Sequence, residues 1–137
     1  MLKIIILFAM LNNQSNDVIF EFSPNCNLDR WQVVDDVVMG GRSNGKLELN
    51  KNGNGVFKGD VSIENNGGFS SIQLKLEAKN TTRKRAIELK IKGDGSDFQF
   101  RIKAATRDRY SYIYNFKTSG DWETILIPLS DMSPSFR

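Results

Sequence analysis

From Asp17 onward the chain is a succession of short runs in which apolar and polar residues alternate, each bounded by Gly, Asn, Asp or Ser. A period of two turns one face of a strand toward a core and the other toward water, whereas a helix needs a period near 3.6. Ile72, Leu74 and Leu76 share one face opposite Gln73, Lys75 and Glu77, and Ile87, Leu89 and Ile91 repeat this opposite Glu88, Lys90 and Lys92. Phe98, Phe100 and Ile102 follow, then an aromatic face of Tyr110, Tyr112, Tyr114 and Phe116, and a last strand over 122–129. Earlier runs are expected over 18–22, over 30–34 around Trp31, and over 56–63, with Leu47 and Leu49 alternating with Glu48 and Asn50. Asn52-Gly53-Asn54-Gly55 is a hairpin turn, because Asn and Gly tolerate positive φ. No run of helical period and useful length occurs after Leu11. Roughly eight or nine such strands imply two antiparallel sheets packed face to face, an all-β sandwich with Trp31 as a buried anchor beside Val33.

The chain length of 137 residues accommodates a single core. Composition removes chemistry. There is no histidine, and with it go the commonest general base, the commonest zinc ligand and any Ser-His or Cys-His pair. Cys26 is the single cysteine, so no intrachain disulfide can form. A net charge of +3, with basic residues interleaved with acidic ones, argues against nucleic acid as a partner. The basic cluster Arg83-Lys84-Arg85 lies between two apolar stretches and reads as a solvated turn.

Residues 1–16 stand apart from the domain expected over 17–137. One lysine and then an apolar run over 4–11 outline a secretory signal, although an Ala-x-Ala cleavage pattern is missing. The run is too short to cross a bilayer as a helix, which takes about 20 residues. Two other readings stand beside this one: a true start at Met10, or an edge strand packed on the domain. The compartment follows from that choice, exported with a signal and cytoplasmic with a start at Met10.

One region departs from plain strand and turn. Asp35 and Asp36 precede Val38-Met39-Gly40-Gly41-Arg42-Ser43, and a second glycine-rich stretch runs from Phe57-Lys58-Gly59-Asp60-Val61 to Asn65-Asn66-Gly67-Gly68-Phe69-Ser70-Ser71. Adjacent aspartates point to opposite sides of a strand and are poorly placed as a paired acid and base. Asp35, Asp36, Asp60, Asn65 and Asn66 offer oxygens to a hard cation, without the spacing of a calcium loop. Gly40-Gly41 opens no helix, so a phosphate-cradling loop is not indicated. The plain structural reading is that the glycines hold tight loops and that Asp and Asn cap the turns.

Taken together, residues 31–36, the Met-Gly-Gly-Arg-Ser loop, Phe57 to Val61, Asn66-Gly67-Gly68-Phe69, Trp122 with Ile127-Pro128, and Pro134-Ser135-Phe136-Arg137 resemble the complex I intermediate-associated protein 30 family. The resemblance implies a galactose-binding-like jelly roll and a role in assembling respiratory complex I, the NADH:ubiquinone oxidoreductase. In plastids, relatives assist photosystem assembly. Family members continue past the Phe-Arg pair, so the resemblance also implies further strands closing the sandwich. The expected function is a non-catalytic binding or assembly module with a protein partner, an assembly intermediate of a membrane or redox complex, and with no cofactor and no metal. The alternative is a carbohydrate-binding module stacking sugars on Tyr110, Tyr112, Tyr114 or Trp122, with Arg101 beside them. The expected partner-binding patch is formed by the two loops meeting: Asp35, Asp36, Met39, Gly40, Gly41, Arg42 and Ser43 from one side, and Asp60, Asn66, Gly67, Gly68 and Phe69 from the other.

Overall fold

The computed structural model describes residues 9–11, 17–35, 43–61, 68–77, 79 and 81–136. They form eleven strands: β1 (Ala9–Leu11), β2 (Asp17–Phe20), β3 (Trp31–Asp35), β4 (Asn44–Leu49), β5 (Gly55–Asp60), β6 (Ser70–Leu74), β7 (Ala86–Lys92), β8 (Asp97–Ile102), β9 (Ser111–Lys117), β10 (Trp122–Pro128) and β11 (Ser133–Ser135). The one helical element among the described residues is a 3-10 turn, Leu129–Asp131. Every recorded strand pairing is antiparallel. The architecture is all-β, as the alternation predicts.

A four-stranded sheet in the order β10-β7-β1-β2 faces a three-stranded sheet in the order β11-β9-β8. Ile87, Leu89 and Ile91 of β7 and Ile127 of β10 are buried between them. Ile19, Phe100, Ile102, Tyr114 and Phe116 pack against that cluster from the neighbouring strands. Each partner in an antiparallel ladder shares its opposite neighbour's face. The register Glu123↔Ile91, Ile125↔Leu89 and Ile127↔Ile87 therefore turns the apolar half of β10 inward. Fully burying one Leu or Ile side chain contributes about 1.5–3 kcal/mol, so these few positions dominate the sandwich.

The remaining strands form two two-stranded ladders, β3-β6 and β4-β5. The β4-β5 hairpin closes where Gly53 N–H donates to the Asn50 carbonyl at 3.0 Å and Asn54 N–H to Asn50 Oδ1 at 2.9 Å. Gly45 and Gly59 stand opposite one another in this hairpin. A methyl group at Gly59 would collide with the backbone carbonyl of Asn44, so only glycine allows the two chains this close. Residues 20–24 form a seam between the halves. Trp31 packs edge-on against Phe20 at 5.3 Å and stacks on Phe22 at 5.5 Å, while the Phe22 ring lies over Gly55.

Several expectations need correction. One short strand escaped the pattern, β11, because three residues are too few to display a period. Of the apolar N-terminal run, Ala9–Leu11 lie inside the four-stranded sheet between β7 and β2, not at an edge. Leu76 does not continue the face of Ile72 and Leu74: β6 ends at Leu74, and Leu76 is exposed. The strand expected to end the chain is followed by the 3-10 turn and β11. Trp31 is half-buried, with its ring Nε1 enclosed and without a hydrogen-bond partner. Within the basic cluster, Lys84 is drawn in to pair with Asp17 at 2.8 Å, while Arg83 and Arg85 stay exposed.

Candidate functional site

Two ladders meet at Asp35, the last residue of β3. Its partner across the β3-β6 ladder is Ser70, whose hydroxyl donates to Asp35 Oδ1. The other carboxylate oxygen accepts from the backbone N–H of Gly45, in β4, at 3.0 Å. One side chain thus ties β3, β6 and β4 together, and the Ser71 hydroxyl adds a bond to the Val34 carbonyl at 3.0 Å. Ser43, just before β4, is buried.

This junction positions the ends of both glycine-rich segments. Residues 36–42 begin after Asp35 and end before Ser43; residues 62–67 begin after Val61 and end before Gly68. Asp35 pairs with Ser70 and Asn44 pairs with Asp60, so the four flanking positions are brought together by two adjacent ladder ends and the Asp35–Gly45 bond. Of the expected patch, Asp35, Ser43, Asp60, Gly68 and Phe69 are described at this junction. Asp36, Met39, Gly40, Gly41, Arg42, Asn66 and Gly67 lie outside the described residues. Phe69 and Asp60 are exposed, and Gly68 has a φ of 129°. Asn65 and Asn66, named as oxygen donors for a cation, also lie outside the described residues. Among the described residues no three Asp, Glu, Cys or His side chains gather as a metal site.

The sequence offers Asp35 as an acceptor for backbone N–H groups that follow it, and the Gly45 N–H is such a donor, but it does not point to the Ser70 hydroxyl. The signal available was a serine at the start of one strand and an aspartate at the end of another; the register that joins them is not written in either segment.

The charge pattern on the β4-β5 hairpin is built outward from this junction. Glu48 accepts from Lys46 at 2.8 Å and from Lys58 at 2.7 Å. Those two bonds, reinforced by the lysine charges, hold its carboxyl down at about 2 from an ordinary 4.5. A shallow groove of about 440 Å³ is lined by Arg30, Lys75, Leu76, Glu77 and Thr106. It adjoins the opposite end of the β3-β6 ladder, where Trp31 pairs with Leu74, and so is remote in register from Asp35. Wide and open, it lacks the convergent polar groups of a ligand pocket.

The residues proposed for sugar stacking do not share a platform. Tyr112 and Tyr114 stand opposite Ile102 and Phe100 and so take the core-facing side of their sheet. Tyr110 packs against Tyr112 at 5.6 Å and Phe136 at 5.7 Å. Its hydroxyl is held protonated above the ordinary tyrosine value by the hydrogen bond with Tyr112 and then by the charges of Tyr112 and Asp108. Arg101 stands opposite Ile113 on the other face, with its Nε donating to Gln99 at 2.5 Å. Trp122 belongs to the other sheet.

The family model for complex I intermediate-associated protein 30 matches residues 20–137. The chain is 26% identical to the mitochondrial complex I intermediate-associated protein 30 of Drosophila melanogaster, over 83% of this chain and 46% of that protein. It is equally 26% identical to the mouse mitochondrial protein of the same name, over 82% of this chain and 41% of that protein. The chain therefore spans under half the length of both relatives. No solved structure gives a significant match. With a match that runs from β2 to the last residue, the chain belongs to the complex I intermediate-associated protein 30 family.

Proposed function

We propose that this domain is a non-catalytic protein-binding module in the assembly of respiratory complex I or a related membrane redox complex, and that it binds its partner with the two glycine-rich loops rooted at Asp35. The observation that carries the reading is the convergence of all four loop ends on one tied junction. Segments rooted close together on a rigid β scaffold are a common way to present a recognition surface. The names of the Drosophila and mouse relatives supply the partner class. Asp35 itself is occupied structurally: both carboxylate oxygens accept hydrogen bonds from its own fold. That supports an organising role over a role as a base.

The test places a photo-crosslinking amino acid at Phe69 or Asp60 in cells, with Arg109, which is exposed on a different segment, as the control site. Adducts to complex I subunits or assembly intermediates from 69 and 60, and none from 109, are expected. Adducts equal at all three sites, or restricted to 109, overturn the loop assignment. Gly68 is left unaltered in this design. Any side chain there would be strained at its positive φ, and lost folding would imitate lost binding.

A further inference from the structure

The outer edge of the four-stranded sheet is built unlike the other edges of the two facing sheets. β10 runs seven residues and pairs with β7 alone among the described strands. Exposed edges are usually blunted by a lysine, an internal proline or shortness. β11 is three residues with Pro134 at its centre, β8 carries Asp97 and Arg101, and β2 is four residues beginning with Asp17. In β10 the single charged residue is Glu123, and its carboxylate is turned back to the Ser119 hydroxyl at 2.5 Å and backbone N–H at 2.7 Å. Proline comes only at the end, Pro128.

The solvent face beside this edge has a definite chemistry. Trp122 and Leu126 are 45% and 50% exposed, although the strand has a buried face available for apolar side chains. The register sets Trp122 against Lys92, Thr124 against Lys90 and Leu126 against the half-buried Glu88, so two exposed lysines stand on this face at the Trp122 end and one carboxylate at the other. Neither lysine has an ion-pair partner among the described residues.

We propose that β10 is a docking edge for an extended segment of a protein partner in which acidic side chains alternate with apolar ones. The partner strand adds to the sheet beyond β10 through backbone hydrogen bonds. Its apolar side chains cover Trp122 and Leu126, and its carboxylates answer Lys90 and Lys92. This edge uses none of the strands that root the glycine-rich loops, and the proposal does not rest on the loop reading.

The probe is a fluorescein-labelled peptide of the same length as β10, alternating Glu with Val, set against one alternating Lys with Val. Anisotropy is expected to report binding of the Glu peptide alone, weakening as salt rises. Hydrogen exchange is expected to slow at the β10 amides and not in β4 or β6. Lys90→Glu with Lys92→Glu should weaken binding by roughly tenfold or more, and Leu126→Lys should install the missing edge guard and do the same. All three positions are exposed; if Leu126→Lys lowers the melting temperature, the lysine reversals decide. The proposal is overturned by no binding, by equal binding of the Lys peptide, or by protection on other strands. A concentration-dependent dimer that Leu126→Lys dissolves would also overturn it, since a second copy would then be the occupant.

Discussion

Asp35 accepts from a serine hydroxyl and a glycine N–H, and both bonds are partly buried. Hydrogen bonds to a charged group are worth about 1.5–3 kcal/mol, and a donor left without a partner adds a desolvation cost. Asp35→Ala should therefore cost about 2–4 kcal/mol in urea denaturation. Asp35→Asn, which retains one acceptor oxygen, should recover part of that loss. Equal losses in the two variants would show that the side chain's charge, and not its acceptor geometry, holds the junction. Trp31 makes a different case. Its ring is clamped by Phe20 and Phe22, yet its Nε1 is enclosed with no acceptor. Trp31→Ala should destabilise by about 3 kcal/mol, the low end for a large aromatic because the residue is half-buried. Trp31→Phe keeps the stacking and removes the unpaired donor, so it should cost under about 1.5 kcal/mol. A Phe variant as unstable as the Ala variant would reveal a partner for the indole nitrogen.

At the scale of the element, the β4-β5 hairpin carries its own pH dependence. Glu48 titrates at about 2 in the folded chain against 4.5 ordinarily, because Lys46 and Lys58 both bond it. A depressed carboxyl contributes stability that is complete above pH 4.5 and is lost as pH falls through about 2. Glu48→Gln should therefore differ from the parent chain at neutral pH, and the two should converge between those values. Because the pair is exposed, the difference should be small and should shrink in high salt. A gap that persists below pH 2 would mean that Glu48 acts through packing. The same hairpin shows what the sequence could and could not reveal. Leu47, Leu49 and the Asn-Gly turn announce it, since alternation and turn chemistry are local. The pairing of Gly45 with Gly59 follows from that turn, which sets the register of the hairpin, whereas the reach of Asp35 into β4 is a consequence of tertiary register that no local pattern encodes. β11 was illegible for another reason: its strand character comes from a neighbour's free hydrogen-bonding edge, not from three residues of its own.

At the scale of the molecule, two apolar clusters stand out among the described residues and one short segment joins them. The first is the sandwich core around Ile87, Leu89, Ile91 and Ile127. The second is the aromatic set Phe20, Phe22 and Trp31, beside Gly55 of β5. β2 feeds both, because successive strand residues point to opposite faces: Ile19 packs against the core while Phe20 meets Trp31. A domain of this size ordinarily unfolds in one cooperative step, and here the cooperativity between halves must pass largely through this seam. In a Trp122→Phe background, Trp31 is the only indole, and its fluorescence reports the aromatic half. Hydrogen exchange at the β7 amides reports the core. The parent chain should give one midpoint for both. Phe20→Ala removes the ring between the clusters and should cost about 3 kcal/mol in the Trp31 transition. The β7 transition should move less, so that the two midpoints separate. If both shift by the same amount, coupling runs instead through another contact between the halves, and β2 is an ordinary strand of the sheet. Separation would identify residues 20–24 as the place where the sandwich and the loop-bearing ladders were joined into one cooperative unit.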